Sequence, residues 1–158
     1  MFCCICRPRF PSFNYTDEEF DKFIPDIRYA KVIRVYDGDT ITIGTVLSGH
    51  PYRFSVRLRG IDTPEMKHKN EKHKQCGRIV RDILSKKIEG KVVMLSDISY
   101  DKYGRLLAEV VVANNGRIEQ HTISEWLLRE NLALPYGGGT KYEMTDEFLD
   151  NILSITNS

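Results

Sequence analysis

Apolar and polar residues alternate with a period of two through much of this chain, the spacing that sends successive side chains to opposite faces of a strand. From Tyr29, "YAKVIRVYDGDTITIGTVL" holds two β-branched runs around the turn signal Asp37-Gly38-Asp39. In "PYRFSVRLRGI", Phe54, Val56 and Leu58 alternate with Arg53, Ser55, Arg57 and Arg59, so Arg57 falls on the face opposite Val56 and Leu58. "KVVMLSDI" and "RLLAEVVVA" read as two more strands joined by "SYDKYG", with Asn114-Asn115-Gly116 as the next turn. The period changes to that of a helix in "RIVRDILSKKI", where Ile79, Ile83 and Leu84 recur with Val80 beside them. "HTISEWLLRENLA" predicts a second helix, with Ile123, Trp126 and Leu127 in contact range, and "TDEFLDNILSI" a third from about Asp146. Between Pro64 and the first helix, "EMKHKNEKHKQCG" reads as a loop. The outline is mainly β with α: a five-stranded Greek-key barrel of the OB type with about three packed helices.

Composition adds a compartment and an uneven surface. The 158 residues suit one domain, and 41% hydrophobic with 28% charged residues is ordinary for a globular chain. Pro8, Pro11 and Pro25 punctuate residues 1–27, a partly disordered N-terminal extension in which "TDEEF" at Thr16 offers a capping box; residues 28–158 form the folded domain. The net charge of +1 conceals a basic run from Lys67 to Lys91 and an acidic one from Glu143 to Asp150. Such a basic run attracts polyanions, although most are solvated helix faces. Cys3, Cys4 and Cys6 have no second Cys/His cluster to complete a zinc site, and Cys76 is far away. "MFCCICRPRF" is apolar for too short a stretch to be a secretory core or a spanning helix. The expectation is a cytoplasmic monomer. Either its first residues are a reduced tail, or Cys3, Cys4 and Cys6 are S-acylated beside Arg7 and Arg9, attaching the protein to a membrane surface.

Charged residues in "VRLRGIDTPE" are out of place in a buried strand unless partners reach them from elsewhere. Three clusters could supply those partners: Asp37-Gly38-Asp39-Thr40; Arg57 with Asp62, Thr63 and Glu65; and Asp101-Lys102-Tyr103-Gly104-Arg105. If they converge, two aspartates and a backbone carbonyl make a hard oxygen site suited to calcium, and two guanidiniums grip a phosphodiester. Each has a plainer alternative. "DGDT" and "DKYGR" are common turn sequences, Arg57 could pair with an acid at the surface, and His68 and His73 read as solvated loop residues.

"VIRVYDGDTITI", "VRLRGIDTPE", "DKYGRLLAEV" and "LLRENLA", in this order over residues 29–136, resemble the staphylococcal nuclease (thermonuclease) family. The resemblance implies a calcium-dependent phosphodiesterase acting on DNA and RNA, with single strands favoured. It assigns Asp39 and Asp62 as calcium carboxylates with the Thr63 carbonyl, Arg57 and Arg105 as catalytic arginines, and Glu65 as the carboxylate beside the attacking water. Lys102, Tyr103 and Tyr136 match positions around the bound nucleotide. Some features depart from the pattern: Glu71, flanked by Lys69 and Lys72, stands where a phosphate-contacting lysine is expected, and "YGGGTK" has no counterpart. A non-catalytic nucleic-acid-binding scaffold of the same fold is the alternative. Retention of Asp39, Arg57, Asp62, Glu65 and Arg105 together favours the enzyme.

Overall fold

A computed structural model describes Thr16 and residues 20–114, 116–140 and 142–155 of the protein. The helix expected around Thr16, and Cys3, Cys4 and Cys6 with their acylation, lie outside the described residues. Five strands form the barrel: β1 (Tyr29–Val35), β2 (Thr40–Leu47), β3 (His50–Leu58), β5 (Val92–Tyr100) and β6 (Leu106–Asn114). Two-residue strands β4 (Ile61–Asp62), β7 (Arg117–Ile118) and β8 (Leu134–Pro135) extend it, and the helices are α1 (Glu71–Ile88), α2 (Ile123–Arg129) and α3 (Asp146–Ile155). Antiparallel pairing runs β3-β2-β1-β5-β6, and parallel pairing of β3 with β6, Val56 opposite Leu106, closes the barrel into the expected OB arrangement.

Alternation predicts the interior well. Val32, Ile41, Ile43, Val56, Leu58, Val93, Leu106, Ala108 and Val110 point inward and are buried, each contributing roughly 1.5–3 kcal/mol for a full aliphatic side chain. Ile27 and Pro25 are buried too, so the packed part of the chain already includes them.

Helix α1 starts earlier than its apolar spacing suggests. Asn70 caps it by accepting from Lys72 N at 2.8 Å, and Glu71–Gly77, expected as loop, form its first turns. Those turns carry no buried apolar side chain before Cys76, and the buried stripe is Cys76, Val80, Leu84 and Ile88, four residues apart. Gly77 allows a close approach: a Cβ there would lie 2.6 Å from the Pro64 carbonyl oxygen and 3.0 Å from Met66 N. The segment carrying Glu65 thus rests directly on α1. On the other side α3 packs against α1, with the Cys76 thiol 3.4 Å from the Leu149 carbonyl and Lys72 bonded to Asp146 and Asp150. Helix α2 carries a full capping box, with Thr122 and Glu125 satisfying each other's backbone N–H. No helix among the described residues is long and apolar enough to cross a membrane.

Candidate active site

The β1–β2 turn delivers Asp39 to the mouth of the barrel, and strand register delivers Arg57 opposite it, since Thr40 pairs with Arg57 across β2 and β3. Asp39 also accepts at its own carbonyl from Leu58 N at 2.8 Å. Gly38 lets this turn press on the next segment: a Cβ there would be 2.6 Å from the Thr63 hydroxyl and 2.8 Å from Val80. Strand β4 then brings Asp62, and its pairing with β8 sets Tyr136 beside Gly60, N to O at 2.9 Å.

Arg57 ties these pieces together. Its Nη1 donates to Asp39 Oδ2, while Nη2 donates to the Ile61 carbonyl at 3.0 Å and lies 3.6 Å from Asp62 Oδ1. The two carboxylates and Thr63 are each about 5% exposed: Asp39 6%, Asp62 5%, Thr63 4%. Burial of such charges is tolerable because one guanidinium serves both. The other arginine of the motif has a separate role: Arg59 is bound by Asp97 at 2.9 Å and by the Ser99 hydroxyl at 2.8 Å, across the bulge in β5.

Arg105 joins from β5–β6. Asp101 holds its Nε at 2.7 Å, and its Nη1 donates to the Thr40 hydroxyl at 3.2 Å, which in turn donates to Asp39 Oδ1 at 2.8 Å. The sequence assigns Thr40 and Asp101 no role of their own; a hydroxyl bridging Arg105 to Asp39 is visible only once β3 closes on β6. Glu65, at the surface, shares the wall of a cleft of about 450 Å³ with Asp62 and Thr63. Lys102 and Tyr103 form an exposed turn, with Lys102 Nζ 5.1 Å and the Arg105 guanidinium 5.7 Å from the Tyr103 ring. The Tyr136 ring lies 5.6 Å from the Arg57 guanidinium. Asp39, Arg57 and Asp62 are thus in contact, Arg105 reaches them through Thr40, and the aromatics stand beside the two arginines.

Lys72, by contrast, is turned to α3, and Glu71 to Lys74 and Arg78, so neither serves as a phosphate contact here. Much of the basic run is neutralised locally, with Lys74, Arg78, Arg81 and Lys87 also within ion-pair distance of acids. His68 and His73, expected as solvated loop residues, are half-buried with ring centroids 4.1 Å apart, and His73 lies on α1.

The donor set suits a hard cation. Buried Asp39 and Asp62 share a single guanidinium, and Asp37 beside them is pushed up to about 6, chiefly by burial and then by the charge of Asp39. Among the described residues no group of three or more His, Cys, Asp or Glu could enclose a metal alone. A cation here would complete its shell with the Thr63 carbonyl, water and substrate oxygens, as calcium readily does.

For Asp101, burial opposes the charge, but hydrogen bonds from the Arg105 guanidinium and from the backbone N–H of Arg105 and Tyr103 outweigh it and lower its pKa. Its contribution to stability is therefore full above the ordinary aspartate value of 3.8 and is lost as the pH falls through the lower folded value. Asp101→Asn should melt lower than the native protein at neutral pH, with the difference vanishing in acid. Releasing Arg105 should also lower kcat about tenfold or more, because misplacement of a positioned group by about 1 Å can cost 10²-fold. Melting curves across pH and steady-state kinetics test both.

Comparison with known proteins identifies the family. Residues 55–152 match the family described as staphylococcal nuclease homologue. An uncharacterized protein of Methanocaldococcus jannaschii is 28% identical over 142 residues, 77% of this chain and 65% of its own length. An uncharacterized endonuclease of Escherichia coli O157:H7 is 31% identical over 97 residues, 60% of this chain and 56% of that protein. A probable endonuclease of Vanderwaltozyma polyspora is 33% identical over 95 residues, 60% of this chain and 34% of that protein. The chain thus spans 34–65% of the length of these relatives. Since the matched region covers more than half of the chain and contains the end of β3 with Arg57, β4, β6 and the segment with Glu65, the chain belongs to the staphylococcal nuclease homologue family.

Proposed function

We propose that this domain is a calcium-dependent nuclease that hydrolyses phosphodiester bonds of DNA and RNA with little sequence preference and leaves 3′-phosphorylated products. The observation that carries the reading is the Asp39–Arg57–Asp62 contact joined through Thr40 to Arg105. It places two fixed guanidiniums and two buried carboxylates at one barrel mouth. Asp39, Asp62 and the Thr63 carbonyl would hold the calcium ion. When bound, calcium supplies positive charge to the phosphoryl oxygens. Arg57 and Arg105, immobilised by Asp39 and Asp101, present donors to the charge that develops on those oxygens, so little reorganisation is needed at the barrier. Glu65, on the wall shared with Asp62 and Thr63, orients the attacking water and takes its proton. The 5′-oxygen leaves in line and takes a proton from solvent to become the 5′-hydroxyl. Tyr103 and Tyr136 offer faces on which any base can stack.

Purified protein incubated with single-stranded DNA and with RNA should cleave both in calcium and neither in chelator. The products should accept a 3′-end label only after phosphatase treatment. Binding without cleavage in saturating calcium would instead establish the scaffold reading.

A further inference from the structure

The cleft beside Glu65 has a use that the phosphate-binding residues do not explain. It lies between the 62–73 segment and the 142–149 segment that leads into α3, and its volume of about 450 Å³ is within the ~300–1,000 Å³ range of small-molecule sites. Neither Arg57 nor Arg105 lines it, nor does any lysine, whereas Asp62, Glu65, Glu143 and Asp146 do. Asp146 is paired with Lys72, and Asp62 and Glu65 belong to the proposed calcium and water positions, so away from them the cleft has, among the described residues, no free cation for a second phosphate and suits an uncharged ring. The remaining surface suits one: the stacked imidazoles of His68 and His73, the Tyr142 side chain, 68% exposed, and Met144. His73 Nδ1 is buried and has no hydrogen-bond partner among the described residues, so this residue offers a ligand its ring face rather than that nitrogen. Burial, and then the neighbouring His68, lower the His73 pKa, which favours the neutral ring.

Direction follows from in-line attack. Water held by Glu65 and the departing 5′-oxygen occupy opposite ends of the phosphorus, so the leaving nucleotide lies away from Glu65, toward Tyr103 and Tyr136. The nucleotide that keeps the phosphate must exit elsewhere, and the arginines already occupy the side of the non-bridging oxygens. We propose that the cleft between His68–His73 and Tyr142 is a base-stacking subsite for the nucleoside upstream of the scissile phosphate. This direction rests on the nuclease reading above; the capacity to bind a nucleoside does not.

Two measurements on the full chain separate the claims. In oligonucleotides with one cleavable linkage, removing the upstream base should raise KM about tenfold with kcat within twofold, the range expected when one stacked base is lost. Tyr142→Ala should raise KM similarly on the intact substrate and add nothing on the upstream-abasic one. Equal responses of native and Tyr142→Ala protein to upstream base removal overturn the proposal. Independently, adenosine titrated against the protein should shift the imidazole NMR signals of His68 and His73 and leave those of His50 and His121 in place. Adenosine shifts without any cleavage would keep the nucleoside site and remove the nuclease reading. Cleavage with no adenosine shift and no upstream-base effect would do the reverse.

Discussion

Arg57→Lys lowers kcat about 10²- to 10³-fold in saturating calcium, the usual cost of losing one preorganised donor, while KM for single-stranded DNA changes only a few-fold. The planar fork of Arg57 reaches Asp39, Asp62 and the Ile61 carbonyl at once, whereas an ammonium is a point charge on a flexible stem and cannot hold that spacing. Arg57→Met tests the same contact without activity. It leaves two carboxylates, each less than a tenth exposed, with no guanidinium between them, and breaking such a buried pair costs about 3–5 kcal/mol. Calcium, binding the folded state in the place of the lost charge, should raise the melting temperature of Arg57→Met more than that of the native protein. A wild-type kcat for Arg57→Lys removes Arg57 from the catalytic group, and equal calcium shifts in both proteins move the ion away from Asp39 and Asp62.

Gly77→Ala should lower both stability and activity, against the helix propensity of alanine. In an exposed helix interior the change gains about 1 kcal/mol. Here the new Cβ meets backbone at 2.6 Å, the Pro64 oxygen, and at 3.1 Å, the Glu65 carbonyl carbon, and backbone cannot rotate aside as a side-chain tip can. Overpacking costs about 1–3 kcal/mol, and contact with unyielding backbone puts this site at the upper end, so a net loss of up to about 2 kcal/mol is expected. The yielding segment carries Glu65, and kcat should fall by up to about 10²-fold if that carboxylate moves 1 Å. Gly137→Ala is the control, because nothing lies within 4 Å of a Cβ there. Denaturant unfolding and kcat of the two variants decide the matter: equal stability would mean that α1 and the Glu65 segment are not pressed together.

The barrel strands, their inward faces and the helices α2 and α3 were all legible in the chain, because a strand or helix with one buried side repeats its apolar residues at its own period. The start of α1 was not, since Glu71–Gln75 carry no apolar period; only the Asn70 cap and the packing of Gly77 on Pro64 mark it. The lysine at position 72 shows the same limit. Its partners, Asp146 and Asp150, come from a helix at the far end of the chain, and no local spacing predicts that they will hold it away from the site.

By itself, the amino-acid sequence determined which side chains could act: Asp39, Arg57, Asp62, Glu65 and Arg105, in motifs whose order marks the family. Tertiary structure decided how they meet. One guanidinium grips two acids, a Thr40 hydroxyl links the second arginine to them, and an acidic cleft opens past Glu65. The reason is physical: periodicity is a property of a single element, whereas an ion pair or a cleft depends on the register of β2 on β3, the closure of β3 on β6 and the docking of α3 on α1.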